Sequence, residues 1–192
     1  MHLYPMVMTS VFFNRPDLLK VRRRESGLYW VAVWLPTLFA MGIIAMESTA
    51  KFSAGNTSSW LRPVFEHWLG PITDSHWQIG HYVFRKTGHL AGYGLVGLTF
   101  LRSWLYTLSR RLGVSTAGWQ IQSCASSILS TAVVASMDEW HQTFLPSRTG
   151  AISDVGIDSL GAILMCAAVW LILWRGRSVA SDRREQSLSR AT

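Results

Sequence analysis

Lys86 and His89, then Asp138, Glu139, His141 and Gln142, then Arg148, Asp154 and Asp158 stand at the ends of apolar stretches. Charged side chains beside hydrocarbon are costly, so a set at such positions is a functional-site hypothesis by default. Lys86, His89 and Arg148 beside four carboxylates suit recognition of phosphate: Arg148 offers a two-pronged donor fork and Lys86 a point charge. His89 or His141 can act as a general base or nucleophile, with a carboxylate such as Asp138 orienting the ring. The candidate catalytic residues are His89, Asp138, Glu139 and His141, and the candidate substrate-binding residues are Lys86, Tyr93, Gln142, Arg148, Asp154 and Asp158. A metal alternative would draw on Asp138, Glu139, His141, Asp154 and Asp158 for Mg²⁺, Mn²⁺ or Zn²⁺. Its spacing is poor, because Asp138, Glu139 and His141 lack the i, i+4 relation of two ligands on one helical face, and Glu139-Trp140-His141 is not an HExxH arrangement. No metal ligand is assigned, and the sequence specifies no cofactor.

These residues must be held by helices. The fold expected is an all-α integral membrane bundle of four transmembrane helices, with an extracytoplasmic amphipathic helix between the first and second. Residues 28–46 carry no charge, and at about 1.5 Å per residue they cross a hydrocarbon core of roughly 30 Å. Residues 87–106 and 151–174 each join an apolar stretch to a polar leading end. The span at 117–137 is diluted by Gln120, Gln122 and several Ser and Thr. Such hydroxyls bond back to their own helix and let neighbours approach, so this span is expected to lie buried among the other three.

The net charge of +7 raises the question of nucleic acid, and its distribution answers it. Thirteen of the eighteen Lys and Arg lie before residue 28, between 102 and 111, or after 174; only Lys51, Arg62, Arg85, Lys86 and Arg148 fall on the other side of a four-span chain. The positive-inside rule then puts both termini and the 102–118 loop in the cytoplasm of a bacterial inner membrane. No basic groove with interleaved aromatics accompanies these charges, so no nucleic-acid partner is expected; the flanks are read as solvated and drawn to anionic headgroups. The first span reads as an uncleaved anchor, because its basic leader and apolar run are both too long for a signal peptide. Segments 1–27 and 175–192 are charged cytoplasmic ends, the second expected to be disordered. Cys124 and Cys166 sit within predicted spans and read as small buried hydrophobes.

Between the first two spans, the Ser/Thr-rich stretch 53–59 can cap a helix over 60–69 in which Trp60, Leu61, Val64, Phe65, Trp68 and Leu69 share one face. Gly70-Pro71 ends it. This helix is expected along the outer interface, over the mouth of the bundle.

Topology brings the scattered charges to one membrane face. Lys86, His89, Tyr93 and Gly97 follow at i, i+3, i+7 and i+11, a single stripe, with Gly88 and Gly92 beside it as a small-xxx-small pair. Asp138 and Gln142, like Asp154 and Asp158, are i, i+4 pairs. The connection 143–150 contains Pro146 and Gly150 and can form a re-entrant hairpin presenting Arg148 between the acidic helices.

At these residues the chain resembles the VanZ-like membrane proteins, a family named for an accessory protein of teicoplanin resistance. The resemblance rests on Lys86-Thr-Gly-His89 with Tyr93, Asp138-Glu-Trp-His-Gln142, Phe144-Leu-Pro-Ser-Arg148, and Asp154 with Gly161, in that order over 86–166. The chain departs from the usual pattern at Ser147, where Gly is frequent, and at Asp158, where Asn is common. The resemblance implies a small polytopic protein of the bacterial cell envelope, and no defined reaction. Its partners are expected to be membrane lipids, among them an anionic phosphorylated headgroup. Three functions compete for the cluster: an enzyme acting on a phosphorylated lipid or cell-wall precursor, a non-catalytic headgroup or glycopeptide-response module, and an ion-paired structural core. A transporter would need a polar path inward, and the stretches 95–101 and 160–173 are largely apolar.

Overall fold

The computed structural model describes residues 10–13, 15, 27–109 and 114–175. Most of the basic N-terminal segment, Arg110 and Arg111, and the tail expected to be disordered lie outside the described residues. A single turn, α1 (Ser10–Phe13), precedes five longer helices: α2 (Gly27–Glu47), α3 (Ala54–Leu69), α4 (Asp74–Leu108), α5 (Thr116–Gln142) and α6 (Ile152–Val169). A π-helical turn over Trp170–Trp174 prolongs α6. No strand occurs among the described residues, in keeping with the all-α expectation.

Among the described residues, two helices are long and apolar enough to cross a membrane: α2, and α6 with its extension to Trp174. Only 22% and 28% of their most apolar stretches are buried inside the protein, whereas the central helix of a water-soluble fold would be covered. Leu38, Phe39, Leu164 and Ile172 all point outward. α5 has its polarity inverted: Ser123, Ser127 and Thr131 are fully buried while Ile121, Leu129, Val133 and Met137 are exposed. Ser123 and Thr131 donate to their own helix carbonyls at Trp119 (2.8 Å) and Ser127 (2.9 Å), and Ser127 donates across to Gly97 O of α4 at 2.6 Å. The hydroxyls therefore act as expected, but only one face of α5 is enclosed, not the whole helix.

α4 departs most from the sequence reading. It begins at Asp74 rather than near residue 87, with the Thr73 hydroxyl accepting from the His76 N–H as its cap. Its 35 residues extend roughly 50 Å at about 1.5 Å each, well beyond a hydrocarbon core of about 30 Å. α5 continues past the expected span end at 137 to Gln142, so Asp138, Glu139 and Gln142 lie on the helix, as the i, i+4 relation of Asp138 and Gln142 required. α3 begins at Ala54, capped by the Ser53 hydroxyl, a turn and a half earlier than its apolar face suggested. Of that face, Leu61 is buried while Trp60, Val64, Trp68 and Leu69 remain exposed.

α4 packs against α2, α5 and α6, and its closest approach is to α6. A Cβ on Gly161 would lie 2.3 Å from Leu90 O and 2.9 Å from Gly94 N, and one on Gly97 would lie 2.7 Å from the Ala162 Cβ. Gly94, Gly97, Gly161 and Ala162 thus let the two backbones touch. The pair Gly88 and Gly92 plays no such part: Gly88 has open space, and Gly92 meets only the end of the Ile44 side chain.

α2 reaches α4 through polar contacts beside a proline, whose i−4 carbonyl is that of Ala32. Pro36 has no N–H, which frees the carbonyl four residues back, and its ring disturbs the neighbouring turn. Arg102 Nη1 and Ser103 Oγ donate to Val33 O at 2.8 and 2.9 Å, Arg102 Nη2 lies 3.5 Å from Ala32 O, and Thr37 Oγ1 pairs with Ser103 Oγ at 2.9 Å. Arg102 is therefore a buried inter-helix donor rather than a solvated flank of a loop. At this end of the bundle, Val11 of α1 joins the core with Leu101, Leu105 and Trp174, and Trp174 Nε1 donates to Phe12 O at 2.7 Å.

The α4–α6 contact predicts a sharp contrast between glycines. Gly161→Val should destabilise the protein by about 2 kcal/mol or more, as forced overpacking does. Gly88→Ala should stay within about 0.5 kcal/mol of the parent. Thermal unfolding in detergent, followed by tryptophan fluorescence, checks both; equal melting temperatures would contradict the packing.

Candidate anion-binding site

The close α4–α6 approach sets the stripe of α4 against the acidic turns of α6. Lys86 Nζ is ion-paired with Asp154 Oδ1. One turn along, His89 Nδ1 lies 3.4 Å from Oδ1 of Asp158, a fully buried carboxylate. One turn further, the Tyr93 hydroxyl donates to Asp138 Oδ2 of α5 at 3.0 Å, and Gln142 Nε2 donates to the same oxygen at 3.0 Å. The His89 and Tyr93 rings lie nearly parallel at 6.3 Å. Lys86, His89 and Tyr93 thus face α5 and α6 in the order their spacing predicts, and Gly97 continues the line into the helix crossing.

Two other predicted residues hold backbone. Glu139 is buried, and its Oε2 accepts from the Ala151 N–H at 2.8 Å, where α6 starts without a side-chain cap of its own. A carboxylate at a helix N-terminus satisfies an orphan donor and opposes the positive end of the dipole. Gly150 must be small there, since a Cβ would lie 2.2 Å from Glu139 O. Arg148 Nη2 donates to Glu47 O and, at 3.0 Å, to Thr49 O, so it closes the C-terminal end of α2. Arg148 does not pair with a carboxylate among the described residues. His141, one position off the Asp138–Gln142 face, is exposed and outside the network.

Beside this network lies a cavity of about 190 Å³, lined by Arg85, Lys86, His89, Gln142, Arg148 and Asp154, with Ala54, Tyr82, Ser147 and Thr149 completing the wall. That is room for roughly six waters at about 30 Å³ each, the scale of a headgroup rather than a lipid. Arg85, Lys86 and Arg148 are cationic, and Asp154 is the lone carboxylate on the wall. Burial lowers the affinity of the Arg85 guanidinium for its proton, and the positive charge of Arg148 lowers it further. Burial acts likewise on Arg148. Neither arginine gives up its charge near neutral pH, so the two cations lack a full set of counter-charges. No three His, Cys, Asp or Glu side chains converge as a metal set among the described residues.

Arg85 escaped the sequence reading. It lies beside Lys86 on a different face of α4, and its partners come from the α3 region: Nη1 donates to Phe52 O at 3.0 Å and lies 3.3 Å from Thr57 Oγ1. Thr57 Oγ1 also meets His81 Nε2 at 3.0 Å, and Trp77 stacks on the His81 ring at 5.2 Å. The only advance signal was four-residue spacing, His81 to Arg85 to His89.

Among the described residues, a helical bundle with two membrane-length helices and a cation-lined cavity at one end suits a membrane protein. The chain belongs to the VanZ/LLP1 family, whose model matches residues 6–174. No curated protein and no solved structure matches it.

The position of His81 predicts a pH dependence. Burial, and after it the charge of Arg85, lowers its affinity for a proton below the ordinary value near 6.5. A lowered value means that the neutral ring is favoured in the folded state, so its support is complete above about pH 6.5 and is lost as pH falls below it. Amide exchange over Ala54–Leu69, corrected for intrinsic rates, should accelerate between pH 7 and pH 5.5. In His81→Gln that acceleration should vanish; its persistence would show that another group titrates.

Proposed function

We propose that this chain is a four-span protein of the bacterial inner membrane, with both termini cytoplasmic, whose outer face binds a phosphorylated lipid or cell-wall precursor headgroup. One observation carries the reading: three cations and one carboxylate line a headgroup-sized cavity. Membrane placement is supported by the uncovered apolar faces of α2 and α6 and by the inverted polarity of α5, whose exposed side chains suit hydrocarbon. The 87–106 part of α4 supplies the remaining span. Its extension from Asp74 and the docked α3 stand in the headgroup layer, where basic side chains meet anionic lipid. The cationic excess suits a dianionic phosphate, which accepts from Lys86 as a point charge and from the unengaged donors of Arg85 and Arg148.

A hydrogen bond to a charged group contributes about 1.5–3 kcal/mol, so Arg85→Gln and Lys86→Gln should each weaken phosphatidic-acid binding by roughly 10-fold or more. Phosphatidylcholine binding should be unchanged. Titration of the purified full chain in nanodiscs of stated composition tests this, and equal affinities for the two lipids would sink it. Topology has its own check: Ser147→Cys should react with a membrane-impermeant maleimide added outside intact cells, and protection there would invert the orientation.

The Lys86–Asp154 contact favours a second reading, in which the charges serve only to hold α4 against α6. The pair is partly covered, and removing one partner of a covered pair leaves the other charge uncompensated. That reading requires Lys86→Gln to lower the melting temperature and leave lipid selectivity intact.

A further inference from the structure

The cavity holds a group that anion binding does not use. His89 is on its wall, and Nδ1 is turned toward Asp158, so Nε2 is the ring nitrogen available to a ligand. Asp158 is completely buried, and neither of its oxygens has a hydrogen-bond donor at normal distance among the described residues. A buried carboxylate is expensive unless something compensates it, and the imidazole at 3.4 Å is the ionisable group that the structure brings to it. A carboxylate behind one ring nitrogen fixes the ring and its tautomer, and stabilises the imidazolium that forms when the other nitrogen takes a proton. The ring lines the same space as Arg85, Lys86 and Arg148, cations suited to the charge that develops on phosphoryl oxygens. Asp138, by contrast, is already occupied by Tyr93 and Gln142.

We infer that His89, positioned by Asp158, makes the cavity a hydrolytic site for phosphate esters or anhydrides, with Nε2 as general base and then general acid. The inference rests on the headgroup reading above. In the reaction, Nε2 accepts a proton from a water as the water oxygen bonds to phosphorus. The P–O bond to the leaving alcohol or phosphate breaks with its electron pair, and the imidazolium returns the proton to that leaving oxygen. Water is the only co-reactant, and the residues end as they began. Asp158 is a positioning residue: it touches His89 and not the substrate.

The test uses the purified full chain in nanodiscs or mixed micelles, with phosphatidic acid and a long-chain prenyl diphosphate as lipid probes and inorganic pyrophosphate as the water-soluble one. Binding and phosphate release are measured on the same samples. Release is expected, and a preference for the lipid probes over pyrophosphate would identify the source of the phosphate as a lipid. His89→Ala should lower release by roughly 10²–10⁴-fold, the span usual for a general base, with partial rescue by added imidazole. Where alanine disturbs folding, His89→Gln keeps a donor toward Asp158 and should be equally inactive. Asp158→Asn should lower release and move the acidic limb of the pH–rate profile to lower pH, a change that loss of packing alone would not produce. Binding without release from any of the three probes overturns the hydrolytic inference and leaves headgroup recognition standing. Absence of both binding and release overturns the two together. Release that survives His89→Ala or His89→Gln, or a pH–rate profile unmoved in Asp158→Asn, overturns the roles assigned to these residues.

Discussion

The arrangement depends on how closely α4 and α6 can approach. Gly94 and Gly97 on one helix and Gly161 and Ala162 on the other leave no room for a further side chain at the crossing. Contact between backbones fixes the register of the two helices as well as their distance. Once the register is set, Lys86 meets Asp154 and His89 meets Asp158 without further adjustment. A helix pair separated by ordinary apolar side chains would stand wider apart, and these charges would face one another across a gap. Small residues halfway along the bundle thereby assemble a polar site two turns away.

Around that pair, the other elements contribute by holding backbone. Glu139 of α5 caps the start of α6, and Arg148 of the following hairpin closes the end of α2. Two charged residues that read as chemistry in the sequence thus tie three helix ends together, and Arg148 does so while lining the cavity. α3 closes a further side through Thr57, whose hydroxyl sits between His81 and Arg85. The cavity is the space left where these ties meet, and its wall is cationic because the nearby carboxylates are engaged: Asp138 by Tyr93 and Gln142, Glu139 by the α6 N-terminus, and Asp158 by His89.

The stripe Lys86, His89, Tyr93 and Gly97 was legible because helical spacing alone puts those residues on one face, and the i, i+4 pairs of α5 and α6 were legible for the same reason. The all-α class followed from the long apolar segments. Element ends were less legible. The 74–86 portion of α4 mixes polar and apolar residues without a clear break, so the apolar stretch alone marked too late a start. Arg85 was missed because its place depends on α3, a tertiary contact that no local pattern encodes. Gly88 and Gly92 have the spacing of a packing motif and face open space or a flexible side chain, whereas Gly94, Gly97 and Gly161 do the packing. Arg102 looked like the start of a basic loop; its burial makes sense only beside the Val33 and Ala32 carbonyls of another helix.

A cationic cavity that holds a phosphorylated lipid carries it through purification. Mass spectrometry of lipids co-isolated with the purified protein tests this most directly, with the parent chain compared against an Arg85→Gln, Lys86→Gln double variant of matched stability. One phosphorylated lipid class should be enriched over the bulk membrane in the parent chain, and that enrichment should be lost in the variant. Bulk membrane composition in both samples would contradict it.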